Sequence, residues 1–535
     1  MGINFIEVGF FTTEETKYPF LNIELNVKIT TPTNSTFIVP AFYKGAKEWA
    51  VRFRPKELGK YKLTTLCSDA ALNNITKYVS ATKLSKSNEL QLSQDKEYLV
   101  CNNEPFLWLS DTWWMCLSSR LSFKDFKHLA NTRLEQSFNT IQLVAGLFPD
   151  MDSFDSRAKN AGGYVWYDEY ADINYNFFNE AEAKIEYLYS LGFHIAIVGA
   201  WGYYLEKMGL EKIKKHWRYI VARWGVYSSV YIAAGEATMP YYLSQNRIQD
   251  AKLLKDGWSE VLKYIKKIDP CNKLLSIHPI ENSLCEVKSS SLIDINLLQA
   301  SHNSYDSVQK GKELLQKYSS KKLTIMDEIN YEGIFRDNHD SVQRLSFWSA
   351  ILGGSKGFGY GANGIWQVNQ SHNPFGASPS GASWGDIAYI DAINFKGAKD
   401  IANSKKFLEN FEWWKLRPQE SIKPNNNTPK APVCASIDNK IYLTYLYAPI
   451  APWDSGYNLT NLAKNSNFSY YFYSPNTNLK SETSTIATNN KGELKIPTPP
   501  SLDDYIFVLE LERNDAKDKR NCSFYKRIIK KFLIK

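Results

Sequence analysis

The segment SVYIAAGE (229–236) is a short apolar run that ends in a carboxylate. Similar runs recur between residues 105 and 361, and amphipathic stretches of helical periodicity separate them. Eight alternating strands and helices predict a (β/α)8 barrel. An open doubly wound sheet is the competing layout, but no GxGxxG turn follows the first strand. The predicted strands are PFLWLSD (105–111), FNTIQLVA (138–145), FHIAIVGAW (193–201), SVYIAAGE (229–236), KLLSIHP (273–279), INLLQASH (295–302), LTIMDEI (323–329) and GFGYG (357–361).

Local signals mark where several of the intervening helices begin and end. Ser122 is expected to cap the helix SFKDFKHLANTRLEQ, because its hydroxyl can accept from an early backbone N–H. Gly192 is expected to end EAEAKIEYLYSL, since glycine readily takes the left-handed conformation of a helix C-terminus. The helix DAKLLKDGWSEVLKYIKKI should stop before Asp269-Pro270, because proline cannot continue it.

Alternating apolar and polar residues predict β-sandwiches on both sides of the barrel. Before it, FLNIELNVKIT (20–30) and GKYKLTTLC (59–67) alternate; after it, KIYLTYLYA and YIFVLEL do the same. The predicted domains are an N-terminal β-sandwich (1–92), a catalytic barrel (93–423), a polar linker (424–432), a C-terminal β-sandwich (433–513) and a basic tail (514–535).

The net charge of +8 is concentrated at one end of the chain. Between Lys517 and Lys535, eight Lys or Arg and one Asp give +7, which leaves about +1 for the rest. A nucleic-acid partner is therefore not expected, because no basic face is implied. The tail is interpreted as a solvated terminus or, alternatively, as a weak contact with an anionic membrane surface or a partner protein.

Seven scattered cysteines without a CxxC pair argue against a disulfide framework and a structural zinc site. The N-terminal sequence has no basic region followed by an apolar one, so no secretory signal is predicted. No apolar run reaches the roughly 20 residues that span a bilayer. We expect a soluble cytoplasmic protein, or a periplasmic or secreted one if a leader precedes this sequence.

Polar or aromatic side chains stand at the C-terminal end of every predicted barrel strand. Packing does not explain them, because the barrel wall needs no polar groups. In barrel enzymes these strand ends carry the reactive groups. The eight residues are Asp111, Gln142, Trp201, Glu236, His278, His302, Glu328 and Tyr360.

Glu236 and Glu328 end the fourth and seventh strands, on facing sides of the predicted barrel. Glycosidic bond cleavage needs two such carboxyl groups. A retaining mechanism requires them about 5–5.5 Å apart, whereas a separation of ~6.5–9.5 Å indicates inversion. Glu236 as the acid also needs a raised pKa, from burial and from the charge of Glu328. The alternative is that each carboxylate pairs with a cation at the barrel rim.

Other strand-end residues are candidates for holding a sugar. His278 and His302 are expected to bind hydroxyls or orient a carboxylate, or else to be structural. No HxH or HExxH spacing occurs, so metal-assisted hydrolysis is the minor alternative and no cofactor is expected. Aromatic candidates for sugar stacking are Trp113, Trp114, Trp166, Trp201, Tyr331 and Trp366, each with core packing as the alternative. The predicted substrate contacts are Asp111, Trp113, Gln142, Trp201, His278, His302, Tyr331, Tyr360 and Trp366.

Seven motifs resemble, in order, those of the apiosidase-like glycoside hydrolases typified by glycoside hydrolase family 140. They are PFLWLSDTWW, FNTIQ, AAGE, LLSIHP, LLQASH, EINYEG and FGYGANGIW, within about 95–370. The flanking segments resemble the β-domains that often precede and follow such barrels. The resemblance implies Glu236 as acid/base and Glu328 as nucleophile. Two departures occur: Glu236 stands where the family usually has Asp, and Gly235 where the wider clan usually has Asn.

These observations predict a glycoside hydrolase that acts on an oligo- or polysaccharide by a retaining two-carboxylate mechanism. The alternative from another class is a catalytically silent carbohydrate-binding or adhesion protein on a barrel scaffold.

Overall fold

The computed structural model describes residues 5–13, 16–84, 88–424, 428–447 and 456–512. Contacts divide the chain into two units: one runs to Leu416 and includes Thr428–Lys430, and the other begins at Arg417. The second unit thus starts before 423, where the barrel domain was predicted to end. Only part of the predicted linker (424–432) is described, and the basic tail (514–535) lies outside the described residues.

The N-terminal region forms antiparallel sheets, as the alternating sequence predicts. Strands β1, β5 and β4 form one sheet, β3, β2, β6 and β7 a second, and β10, β9 and β8 a small third one. A short helix, α1 (Pro19–Asn22), follows β1. The strands are β1 (Ile6–Phe11), β2 (Leu25–Thr30), β3 (Thr36–Pro40), β4 (Phe42–Gly45), β5 (Glu48–Phe53), β6 (Gly59–Cys67), β7 (Thr76–Ala81), β8 (Leu90–Leu92), β9 (Leu99–Cys101) and β10 (Glu104–Phe106).

All eight predicted barrel strands are present, and they form one parallel sheet in the order β15-β14-β13-β12-β11-β18-β17-β16. This is the cyclic order of a (β/α)8 barrel, so the outermost strands, β15 and β16, are neighbours. Asp294 N donates to Leu275 O at 2.7 Å, and Ser276 Oγ donates to Ile295 O at 2.8 Å, which joins the two edges. The strands are β11 (Trp108–Thr112), β12 (Thr140–Val144), β13 (His194–Val198), β14 (Val230–Ile232), β15 (Leu274–Ser276), β16 (Asn296–Gln299), β17 (Thr324–Glu328) and β18 (Gly357–Tyr360).

Helices cover the outside of the barrel, and their ends agree with the local signals. Ser122 Oγ accepts from Asp125 N at 3.1 Å, Gly192 ends α3 with φ 91°, and Asp269 ends α6. The helices are α2 (Phe123–Glu135), α3 (Tyr175–Leu191), α4 (Tyr204–Met208), α5 (Leu210–Trp224), α6 (Arg247–Ile268), α7 (Ser283–Glu286), α8 (Tyr305–Tyr318), α9 (Asp340–Leu352), α10 (Tyr389–Ala392) and α11 (Lys396–Leu408).

The N-terminal sheets pack on the outer helices of the barrel. The Arg52 guanidinium pairs with Glu182 on α3, and Glu182 also pairs with Arg223 on α5 at 2.7 Å. On α5, Arg218 Nη2 donates to Leu25 O at 2.7 Å. The two parts therefore form one unit, held through helices rather than through the ends of the barrel strands.

The C-terminal unit consists of a larger and a smaller antiparallel sheet, as predicted. The larger contains β19, β21, β22, β28, β24 and β25, with β26 paired to β24; the smaller contains β20, β23 and β27. Phe468, Phe507 and Leu509 are fully buried in its core. No helix in the described part of the chain is long and apolar enough to cross a membrane. The strands are β19 (Arg417–Gln419), β20 (Ile422–Lys423), β21 (Val433–Ile437), β22 (Ile441–Leu446), β23 (Asn458–Leu459), β24 (Asn467–Ser474), β25 (Leu479–Lys480), β26 (Ser484–Ala487), β27 (Leu494–Lys495) and β28 (Tyr505–Leu511).

Candidate active site

A pocket of about 290 Å³ opens at the C-terminal ends of the barrel strands. Glu236 and Glu328 both line it, so the structure brings the two predicted carboxylates together. Segments that follow all eight strands contribute to the wall. Its aromatic residues are Trp114, Trp201, Tyr242, Tyr331, Trp366 and Trp384.

Glu236 lies four residues beyond the end of β14, in a backbone conformation that glutamate rarely adopts (φ 40°). Such strain persists where the surrounding structure fixes a functional side chain. Its Oε1 accepts from Gln299 Nε2 at 3.0 Å and its Oε2 from Trp201 Nε1 at 3.3 Å. Burial raises the pKa of Glu236 to about 7, and the negative charge of Glu328 acts in the same direction. This carboxyl group can therefore carry a proton near neutral pH.

Gly235 is required by the ring that holds Glu236. A Cβ atom at position 235 would lie 2.3 Å from the Trp201 indole, far inside van der Waals contact. The indole therefore occupies the space of a side chain before Glu236, and an asparagine at this position cannot be accommodated unless Trp201 moves. This accounts for the departure from the clan pattern at Gly235.

Three side chains contact the carboxylate of Glu328, the last residue of β17. Tyr331 Oη donates to Oε2 at 2.5 Å, and His302 Nε2 lies 3.2 Å from Oε1. Tyr331 N donates to His302 Nδ1 at 3.1 Å, so Nδ1 is an acceptor and the Nε2–H of His302 points at Glu328. Burial alone would raise the pKa of Glu328, but hydrogen bonds and charges from His278 and His302 lower it well below its usual range. This group is ionised at neutral pH.

His278 lies behind Glu328 and carries a positive charge. Its Nδ1 is 3.2 Å from Asp327 Oδ2, and its Nε2 is 3.3 Å from Glu328 Oε2, so the imidazole lies between two carboxylates. Burial would lower the pKa of His278, but the bonds and charges of these two carboxylates raise it to about 10. Asp327 also accepts from Gln142 Nε2 at 2.7 Å. The resulting chain of contacts holds a cation next to Glu328.

The family model "Apiosidase-like, catalytic domain" matches residues 93–415, more than half of the sequence. The chain belongs to the apiosidase-like family. A second match covers residues 4–68 and is a domain of unknown function, DUF5060. A comparison with curated proteins gives no match.

Solved glycoside hydrolases share the fold of this apiosidase-like protein. A glycoside hydrolase family 5 structure from Bacteroides vulgatus has a TM-score of 0.64 at 19% identity and covers 80% of this chain and 93% of its own. A second Bacteroides vulgatus protein, assigned to the glycoside hydrolases, has a TM-score of 0.67 at 15% identity, over 95% of this chain and 99% of its own. The family assignment makes the protein a glycoside hydrolase, whose substrate is a carbohydrate, and the solved structures share its fold.

Of the predicted substrate contacts, Trp201, His302, Tyr331 and Trp366 line the pocket of the apiosidase-like barrel. His278 is not part of its wall; it lies behind Glu328, and its ring packs against those of Trp114 and Trp201, which line the pocket. Trp114 was predicted as a sugar platform and lines the pocket, whereas Trp166 is fully buried outside it.

Asp111 and Trp113, predicted as substrate contacts, are buried below the pocket. Asp111 is fully buried and pairs with Arg133 Nε at 2.6 Å, and it also accepts from Trp113 Nε1 at 2.8 Å. A buried carboxylate must be paired, and this pair satisfies it without a ligand. The prediction that these two residues contact substrate is therefore wrong in this structure.

Gln142 and Tyr360 are likewise fully buried away from the pocket. Gln142 donates to Asp327, and Tyr360 Oη donates to Glu332 Oε2 at 2.7 Å. Both side chains are engaged within the barrel interior, so they do not contact substrate as predicted. Glu332 shows that a raised pKa does not by itself mark an acid catalyst: burial raises its pKa to about 7, yet it lies outside the pocket wall.

Several pocket residues were not selected from the sequence. Gln299 lies within the predicted strand INLLQASH (295–302), so its position had a detectable signal. Asp327, which supports the site from beneath the pocket, is a charge inside an apolar strand and was detectable in the same way. Asp150, Tyr242 and Trp384 come from long loops, where no periodic pattern indicates a position. Among the described residues, no group of three or more His, Cys, Asp or Glu side chains is arranged to hold a metal ion.

Proposed function

We propose that the enzyme hydrolyses an O-glycosidic bond of an oligo- or polysaccharide with retention, using Glu328 as nucleophile and Glu236 as acid/base. One observation carries the proposal: both carboxyl groups line one pocket, and their surroundings shift their pKa values in opposite directions. Two carboxyl groups in different environments can serve as proton donor and as anion at the same pH. The raised pKa of Glu236 fits the donor, and the lowered pKa of Glu328 fits the anion.

In the first step a Glu328 oxygen attacks the anomeric carbon while Glu236 gives its proton to the departing glycosidic oxygen. The bond from the anomeric carbon to the leaving group breaks, and a glycosyl ester of Glu328 forms. Attack requires Glu328 to be ionised, which His278 and His302 favour. Trp201 and Gln299 orient the Glu236 carboxyl group through their N–H donors.

In the second step Glu236, now ionised, removes a proton from water, whose oxygen attacks the anomeric carbon and releases Glu328. Two displacements on the same carbon restore its original configuration. The cation at His278 helps Glu328 to leave as an anion, because its positive charge stabilises the carboxylate in the buried site.

The test compares carboxyl variants on a panel of 4-nitrophenyl glycosides and oligosaccharides. Glu328→Gln should lose turnover by several orders of magnitude. Glu236→Ala should be slow on oligosaccharides, and azide should rescue it on an activated aryl glycoside with formation of a glycosyl azide. Glu332→Gln serves as the matched control, because Glu332 is a buried carboxyl group outside the pocket. All variants are compared by Tm, so that loss of fold is separated from loss of chemistry.

Retained turnover in Glu328→Gln would contradict the assignment of the nucleophile. A wild-type protein that binds panel members but releases no product from any would instead favour the alternative of a silent carbohydrate-binding protein. Release of the opposite anomer as first product would contradict retention.

We also propose that the basic tail (514–535) makes a weak contact with an anionic membrane surface in a cytoplasmic protein. The support is its charge alone: a Lys or Arg near an anionic surface contributes about 1 kcal/mol. Co-sedimentation with phosphatidylserine-containing vesicles should fall when the tail is deleted, and phosphatidylcholine vesicles provide the control. Equal sedimentation of the full and shortened chains would refute the proposal.

A further inference from the structure

Contacts between loops close part of the rim of the pocket, beginning with the loops after β12 and β14. Tyr242 Oη donates to Asp150 Oδ1 at 2.7 Å, and Asp150 N donates to Tyr242 Oη at 3.0 Å. Asp150 is nine-tenths buried although it lines the pocket. The reciprocal bonds join the two loops on the side of the second and fourth strands.

The same carboxylate anchors the long loop after β18. Trp384 Nε1 donates to Asp150 Oδ2 at 2.9 Å, so both oxygens of Asp150 are engaged at the rim. Arg157 reinforces the connection, because it donates to Asp150 O at 3.2 Å and to Phe375 O at 2.9 Å. Asp150 is thus a positioning residue that fixes Trp384 over one side of the pocket.

Trp384 continues the closed rim toward the sixth and seventh strands. Its ring lies 6.0 Å from the His302 ring in an edge-to-face arrangement and 5.8 Å from the Phe335 ring, measured between centroids. Tyr242, Asp150 and Trp384 therefore form a continuous set of contacts along the rim. It joins the loops that follow the fourth, second and eighth strands to those that follow the sixth and seventh.

The contacts of Tyr242, Asp150 and Trp384 do not include the segment after the fifth strand. Ile280, after β15, is 40% exposed and lines the pocket on that side; Lys310 also lines the pocket and pairs with Glu281 at 2.7 Å. In the barrel order the fifth strand is next to the fourth, which carries Glu236. The open side is therefore adjacent to the proton donor.

We propose that this enzyme removes the terminal sugar at a non-reducing end, with that sugar in the closed part of the pocket and the leaving group directed outward over Ile280. The inference rests on the proposed function and assigns its substrate geometry. The leaving oxygen must face Glu236, so the rest of the chain extends on the open side. A chain that continued from the other side of the attacked sugar would have to pass the contact between Trp384 and Asp150.

The size of the pocket agrees with this assignment. Its volume of about 290 Å³ lies just below the range of roughly 300–1,000 Å³ that is typical of small-molecule sites. A site that binds a polysaccharide internally needs an extended groove that is open at two sides. Here aromatic walls, including Trp201 and Trp366, surround a single compact space.

The test follows product length over time. Oligosaccharides labelled at the reducing end with 2-aminobenzamide are given to the wild-type enzyme, each in a free form and in a form whose non-reducing terminal sugar is blocked by O-methylation. The earliest products should be a free monosaccharide and a labelled chain shorter by one unit, and blocking should lower the rate at least tenfold. Internal fragments as first products, or equal rates with blocked chains, would overturn the inference.

The variant Trp384→Ala tests whether the closed rim sets this preference. Removing the indole should raise the ratio of blocked-chain to free-chain cleavage at least tenfold, even if the overall rate falls. Trp414→Ala is the control, because Trp414 is a partly buried tryptophan outside the pocket, and its ratio should stay at the wild-type value. If Trp384→Ala does not fold, Asp150→Asn weakens the same anchor with little change in volume. An unchanged ratio in a folded rim variant would overturn the role of the rim.

These results separate the inference from the proposal on which it rests. Cleavage at internal bonds would overturn only the terminal action. If neither the labelled oligosaccharides nor aryl monoglycosides are cleaved by the wild-type protein, the proposed function falls and the inference with it.

Discussion

The hydrogen bond from Gln299 to Glu236 provides a test of the proton donor that differs from simple loss of function. Gln299 Nε2 lies 3.0 Å from Glu236 Oε1, and this bond lowers the pKa of Glu236 against the larger effect of burial. Replacing Gln299 with Leu removes the hydrogen-bond donor and puts an apolar side chain of similar size in its place. The pKa of Glu236 should therefore rise above its value of about 7.

The size of the pKa shift follows from the free energy of this hydrogen bond. A hydrogen bond to a charged group contributes about 1.5–3 kcal/mol. Part of it is kept by the neutral acid, whose carbonyl oxygen also accepts from Gln299, so about half distinguishes the two protonation states. Because one pKa unit corresponds to about 1.4 kcal/mol, the pKa should rise by roughly one unit.

The assay is the pH dependence of kcat/KM, which reports the groups of the free enzyme. In the wild type kcat/KM should fall about tenfold per pH unit above about 7, as Glu236 loses its proton. In Gln299→Leu this fall should begin roughly one unit later. At pH 9 the variant should therefore retain about ten times more of its plateau value than the wild type does.

The control is Trp366→Phe, which changes the pocket wall but not the hydrogen bonds of Glu236. Trp366 lines the pocket, and its Nε1 has no hydrogen-bond partner among the described residues. In this variant the fall of kcat/KM at high pH, the basic limb of the pH profile, should stay at the wild-type position. A basic limb in Gln299→Leu that is unchanged, or that moves to lower pH, would refute the assignment of this limb to Glu236.

Three further substitutions test how the site is supported. Glu236→Gln should stabilise the fold: the folded pKa of about 7 exceeds the ordinary 4.5, so wild-type stability falls as pH rises through this window, and the neutral amide avoids up to about 3 kcal/mol of that loss. Its Tm gain should be larger at pH 8 than at pH 4.5, and an equal gain would contradict this. Gly235→Ala should displace Trp201, lower kcat/KM at least tenfold and cost about 1–3 kcal/mol of stability through overpacking; wild-type kinetics would contradict the contact. Arg133→Leu should cost about 3–5 kcal/mol in urea unfolding, because it leaves Asp111 buried and unpaired; a cost below 1 kcal/mol would contradict the pair.

The barrel could be predicted from the sequence because its strands are apolar on both faces and its helices are amphipathic. All eight strand segments were identified, although the first begins at Trp108, because Glu104–Phe106 pairs with β9 instead. The C-terminal boundary of the barrel domain was harder to predict from the sequence. β19 and β20 precede the polar stretch that was interpreted as the linker, so composition did not indicate that they belong to the second unit.

Polarity at a strand end predicted part of the site. It did not distinguish residues that line the pocket from residues that are buried beneath it. Asp111, Gln142 and Tyr360 have the same sequence signature as Glu236, yet they are fully buried. Successive residues of a barrel strand point alternately inward and outward, and a buried polar group can be satisfied by another. Only the contacts in the folded structure, such as the ion pair of Arg133 with Asp111, distinguish a residue that stabilises the barrel from one that faces the pocket.

The rim of the pocket could not be predicted, because long-range contacts define it. Asp150 and Trp384 are 234 positions apart, and each lies in a loop without periodicity. The left-handed backbone at Glu236 has no sequence signal either, since glutamate has no preference for it. These features depend on loops that the barrel brings together, and they are the ones that set the substrate geometry.

The most direct test of the central claim is to identify the residue that becomes glycosylated. A 2-deoxy-2-fluoro analogue of the aryl glycoside that the wild type cleaves slows the second step, so the covalent intermediate accumulates and can be located by peptide mass spectrometry. We expect one sugar attached to Glu328, and in Glu236→Ala the covalent intermediate should form faster than it is hydrolysed. Attachment to another residue, or no attachment while the analogue is hydrolysed with inversion, would contradict it.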